Sequence, residues 1–119
     1  MIRLAALVAL IAAPASAYTA ANSLHVLPSG AASFSVPYGG DSAPAAFWCA
    51  AGDYVTQVLG KPAETPIYRT SPVPRHTGQG VDFSLDQAAS TGNSGLFQFM
   101  PDNGAVTAGL ARNFCLNRR

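Results

Sequence analysis

One stretch dominates what this chain can become. Ala45 to Gly60, AAFWCAAGDYVTQVLG, is the only long segment with clear helical periodicity, and it carries the sole Trp and one of two Cys. Wound as an α-helix, it puts Phe47, Trp48, Ala51, Tyr54, Val55, Val58 and Leu59 on one broad face, opposite Asp53, Thr56 and Gln57. Such a helix must cover a core. The flanks agree: Asp41 or Ser42 can cap the N-terminus, Pro44 suits a first turn, and Gly60 followed by Pro62 ends the run. Cys49 falls about 150° from the centre of the apolar face, on the flank shared with Asp53 and Thr56.

Residues 1–17 read as a segment removed before folding. Met1 to Arg3 is a short positive region, Leu4 to Ala13 an apolar one, and Ala15-Ser16-Ala17 the small-x-small pattern that a signal peptidase accepts. The mature chain is expected to start at Tyr18, and the apolar run is too short for a stable membrane anchor. From Tyr18 to Arg119 the basic residues, without Arg3, balance the acidic ones. A balanced domain lacks the clustered basic excess of a general nucleic-acid or anionic-membrane binder. Residues 18–119 make one small domain, with a modest core and nine prolines in the sequence.

Tyr18 to Asn22 shows no pattern and reads as a loose lead-in. Leu24 to Leu27 and Ala32 to Val36 read as a hairpin around Pro28-Ser29-Gly30. Ile67 to Thr70 has strand character. Between Ser71 and Gly80, Pro72, Pro74, Gly78 and Gly80 predict a loop. Val81, Phe83 and Leu85 alternate with Asp82 and Ser84, the clearest strand signature in the chain. Gln87 to Gly95 reads as a surface loop, and Leu96 to Met100 as a strand returning antiparallel to Val81–Leu85. Val106, Leu110 and Phe114, at i, i+4 and i+8, predict a short closing helix ending near Cys115. The expected fold is α+β: a small antiparallel sheet with one central amphipathic helix and a short C-terminal helix.

In an oxidising compartment two cysteines in a small domain pair, and here only Cys49 with Cys115 is possible. Closing a loop of that length contributes about 4 kcal/mol in the chain-entropy description. It also gives Cys49 a reason to leave the core face, since the closing helix would lie along its flank. The competing reading is catalytic. Cys49 sits in the first turns of a helix, where the dipole lowers a thiol pKa, and His76 stands in a polar loop as a base. That order is similar to papain-like cysteine hydrolases and amidases. Their histidine, however, stands on a strand beside small and apolar residues, whereas His76 lies between Pro74-Arg75 and Thr77-Gly78.

Other chemistry is sparse. His25 and His76 are the only histidines and have no zinc-ligand spacing, so no metal and no cofactor is expected. Gly92-Asn93-Ser94-Gly95 lacks the G-x-S-x-G elbow, and His76 to Gly80 lacks the context of a phosphate loop. Tyr68, Arg69, Arg75 and His76 are the candidate ligand patch, polar and aromatic, suited to an anionic or sugar ligand; the competing and simpler reading of the same residues is a solvated loop. Phe47 to Tyr54, Tyr68-Arg69, Gly78 to Leu85 and Ala111 to Cys115 together resemble a group of small exported proteins of alphaproteobacteria. The resemblance implies export and a cysteine pair, and it carries no catalytic residue with it. The resulting expectation is a periplasmic or secreted, non-enzymatic binding or structural accessory domain, whose partner is a periplasmic protein or a small anionic ligand. The alternative is the hydrolase using Cys49 and His76.

Overall fold

The central helix forms, and it is buried on two sides. The structure is a computed structural model that describes residues 17–96 and 102–116. In it α1 spans Pro44–Gln57, and every residue from Ala46 to Val55 is buried. Pro44 takes the first turn as expected, but the N-cap is Ala43 and makes no side-chain cap bond. Asp41 acts one step earlier, its Oδ1 accepting from the Ala43 N–H at 3.0 Å and turning the chain toward the helix. The regular helix ends at Gln57, three residues before the predicted end. Val58 thereby leaves the apolar face and is 49% exposed. Gly60, at φ +65°, reverses the chain so that the Lys61 N–H reaches back to the Val55 carbonyl at 3.1 Å.

One side of α1 lies on a six-stranded antiparallel sheet. Its strands are β1 Tyr18–Thr19, β2 His25–Pro28, β3 Ser33–Val36, β4 Pro66–Arg69, β5 Val81–Ser84 and β6 Ala105–Thr107, in the spatial order β1-β2-β3-β5-β4-β6. The predicted hairpin is β2–β3, with Leu27 opposite Ser35. Strand alternation then sends Val26, Phe34, Val36, Ile67, Val81, Phe83 and Val106 toward the helix, where all are buried. Aromatic rings fill the gap. Phe34 meets Tyr54 at 4.8 Å between centroids, and Trp48 meets Phe83 edge-on at 4.8 Å. The Trp48 indole donates to the Ser94 carbonyl at 2.9 Å.

Four expectations need correcting. Tyr18–Thr19 is a strand paired with His25 and Val26, not a lead-in; two residues are too few to show alternation. The predicted closing helix begins instead as strand β6, and α2 spans only Ala108–Asn113, capped by the Thr107 side chain. Val106 therefore belongs to the sheet, Leu110 is 52% exposed, and Ala108 and Ala111 form the buried face. Ser84, expected on a wet face, is buried. The loop after β5 is not all surface either: a 3-10 turn at Gln87–Ala89 opens it, but Ser94 is fully buried and its hydroxyl donates to Asp102. The predicted strand at 96–100 lies, apart from Leu96, outside the described residues, and β5 is already paired on both sides, by β3 and β4.

The second side of α1 is covered by α2. Of the residues placed opposite the apolar face, Gln57 is exposed and Thr56 partly buried, but Asp53 is only 4% exposed. Its Oδ2 accepts from the Tyr18 hydroxyl at 2.7 Å and from the Ala21 N–H at 3.0 Å, and its Oδ1 faces Arg112 Nε at 3.6 Å. The Gln57 amide oxygen, turned toward the same guanidinium, accepts from Nη1 and Nη2 at 3.1 and 2.9 Å. Gly52 is what lets the helices approach. A Cβ there would stand 2.5 Å from Arg112 N and 2.8 Å from the Ala108 carbonyl oxygen, both backbone atoms that cannot swing aside. Gly52→Ala is therefore expected to destabilise by about 1–3 kcal/mol through overpacking, despite alanine's better helix propensity. Urea unfolding of the variant reads this directly.

Burial, then the hydrogen bond and charge of Asp53, push the Tyr18 phenol up to about 12, with Arg112 opposing. The folded protein therefore holds this proton more tightly than the unfolded chain, whose phenols titrate near pH 10. The stability it contributes is complete below about pH 10 and lost as pH rises through about 12. Tyr18→Phe is expected to flatten that alkaline decline, as read from urea midpoints at stepped pH.

Candidate functional site

The disulfide forms as the cysteine count requires. Cys49 and Cys115 are bonded with an S–S distance of 2.00 Å, joining α1 to the residues just past α2. Cys49 is fully buried, and no free cysteine exists among the described residues. The hydrolase reading thus loses its nucleophile, because a buried disulfide sulfur supplies no thiolate.

The four residues of the predicted patch divide. Tyr68 and Arg69 are neighbours on β4 and must face opposite sides of the sheet. Arg69 faces α1 with Ile67 and is 3% exposed, while Tyr68 stands on the far side, half-buried. His76 lies exposed in the Ser71–Gly80 loop, its backbone N–H donating to Gln79 Oε1 at 3.2 Å. Arg69 and Arg75 are the two that come together. They line one cavity of about 450 Å³ at the head of α1, walled by Ser42, Pro44, Phe47, Val73, Pro74, Val81, Asn93 and Gly95.

Each guanidinium is held by neutral groups. Arg69 Nε donates to the Ser71 carbonyl at 3.1 Å and Nη2 to the Pro72 carbonyl at 2.9 Å. Gly95 lies against Nη1 so closely that any side chain there would strike it. Arg75 Nη1 donates to the carbonyls of Gln79 at 2.7 Å and His76 at 3.0 Å. Its guanidinium also stacks over Phe47, 5.1 Å from the ring centroid, and Tyr38, at 5.7 Å. These neutral partners fix both groups in place. No carboxylate is among the described residues that line the cavity, and Asp82 acts on Arg69 from outside it.

The electrostatics register the crowding. Burial, and second the charge of Arg75, push the Arg69 pKa down from its ordinary value, with Asp82 opposing. A guanidinium stays protonated regardless. The result is two like charges beside one cavity at the positive end of a 14-residue helix.

Phe47, Tyr38 and Asn93 belong to this site and were missed in the sequence. Phe47 read as core, which it also is, at 1% exposed. Asn93 sat in a stretch read as surface loop, and no local signal marks it. Two other cavities are smaller. One, of about 410 Å³, lies between β3 and the same loop and carries Asp82; the other, of about 280 Å³, borders Asp53 and Cys115. No three His, Cys, Asp or Glu side chains gather to hold a metal among the described residues, and no helix there is long and apolar enough to cross a membrane. Compared with protein-family models, with curated proteins and with solved structures, the chain matches none.

Proposed function

We propose that this protein is an exported, disulfide-stapled binding module, acting in the periplasm or outside the cell, whose cavity at the head of α1 takes a small anionic ligand. The observation that carries it is the pairing of Arg69 and Arg75 on that cavity without a carboxylate among its described lining. Two like charges, one of them almost wholly buried, are held at a cost that an anion between them would offset. Export rests on the signal-like residues 1–17 and is supported by the disulfide, which persists in oxidising compartments.

The reading is tested by thermal unfolding of the oxidised protein against a panel of small anions at constant ionic strength. A true ligand at about 100 times its Kd stabilises by about 2.7 kcal/mol. Arg75→Gln is expected to abolish that shift, measured against its own ligand-free midpoint, which falls because the guanidinium also holds the loop through the His76 and Gln79 carbonyls and stacks on Phe47. If no anion shifts the midpoint of the parent more than that of Arg75→Gln, the cavity is not an anion site.

A further inference from the structure

We infer that the ligand is an organic carboxylate on an apolar ring, with the carboxylate against Arg69 and Arg75 and the ring against Phe47, Val73, Pro74 and Val81. This rests on the anion-binding reading above and narrows it. The first argument is size. A cavity of about 450 Å³ lies within the range of small-molecule pockets, roughly 300–1,000 Å³. A bare inorganic oxyanion would satisfy the two charges and leave most of that space to water.

The second argument is the chemistry of the walls. Five apolar side chains, those of Pro44, Phe47, Val73, Pro74 and Val81, line the same space as two guanidiniums, so an occupant of one polarity leaves part of the lining unmatched. A purely apolar guest would strip water from two charges without replacing it, which is costly. A purely ionic one would leave the exposed apolar rim of Pro44, Val73 and Pro74 wet. The loop side of the cavity also displays apolar surface, Val73 being 38% exposed. A ring entering there would cover surface that water now touches. Both guanidiniums are already fixed by backbone carbonyls, so little side-chain freedom remains to be lost on binding. Ser42 and Asn93 add uncharged polar groups to the lining, suited to a carboxylate's further lone pairs.

The test compares three probes on the oxidised protein by NMR titration, following the amides of Asn93 and Gly95. Benzoate carries both halves of the proposed ligand, benzyl alcohol the ring alone, and inorganic phosphate the charge alone. Benzoate is expected to bind at least about tenfold more tightly than either, the scale of one charge-assisted hydrogen bond. Arg75→Gln should reduce benzoate to the level of benzyl alcohol, and Val73→Ser should weaken benzoate while leaving phosphate unchanged. Phosphate binding as tightly as benzoate, with both lost in Arg75→Gln, would overturn the organic ligand and keep the anion site. Benzyl alcohol binding as tightly as benzoate would overturn the anion site itself. Amide shifts from none of the three at millimolar concentration would overturn both.

Discussion

Cys115→Ser is expected to lower stability by about 4 kcal/mol, within the 2–5 kcal/mol typical of small secreted domains. The bond closes a loop across a sequence separation of 66 residues, so its loss returns that much chain freedom to the unfolded state. Cys115 is the better partner to change. It is only half-buried, so a serine hydroxyl there reaches water, whereas a hydroxyl at the fully buried Cys49 would need a partner it does not have. Cys49→Ser should therefore cost more than Cys115→Ser, and both more than reduction of the parent. Urea midpoints of the three, measured on monomeric protein, check the order. Equal midpoints for parent and Cys115→Ser would mean that the staple does not constrain the fold.

Trp48→Ala should match or exceed that loss by a different route. Trp48 is 1% exposed, packs edge-on against Phe83 and donates its indole N–H to the Ser94 carbonyl. Truncation leaves a cavity worth about 3–5 kcal/mol and orphans a buried carbonyl, at about 1–3 kcal/mol more. Trp48→Phe separates the two effects, since it keeps much of the ring and loses the donor. A smaller deficit with Phe, of about the size of one hydrogen bond, is the expected result. Because Trp48 and Cys49 are adjacent, a double variant should not be the sum of the singles.

The disulfide and α1 were legible because each rests on a strong local rule: parity of cysteines in a small chain, and periodicity over four turns. The closing helix was legible as an element, but its start was not, because Val106, Leu110 and Phe114 imitate a helical stripe while Val106 is the buried residue of a three-residue strand. A closing helix along the Cys49 flank was expected, but how tightly it packs over Asp53 was out of reach for a related reason. A helical wheel shows which face is apolar and says nothing of a second helix built from Ala108 and Ala111, small residues that let backbones approach. For the candidate site, the residue types were visible and the geometry only partly so. Tyr68 and Arg69 are consecutive on a strand, and that alone separates them, but nothing local joins Arg69 to Arg75 across a proline-rich loop.

The position of the staple also bears on how the protein is made. A chain that emerges amino end first exposes Cys49 well before Cys115, and strands β2, β3, β4 and β5 are all available before β6 and α2. In that interval the α1 flank destined for α2 is bare, with an unpaired thiol, a buried-type carboxylate and the flat Gly52 surface in one place. Two such half-finished molecules could join through their Cys49 thiols and trap each other as covalent dimers. Oxidation after the last segment has docked is thus expected to give the Cys49–Cys115 bond, and oxidation before it cross-linked pairs, which non-reducing gels of protein oxidised at the two stages would tell apart.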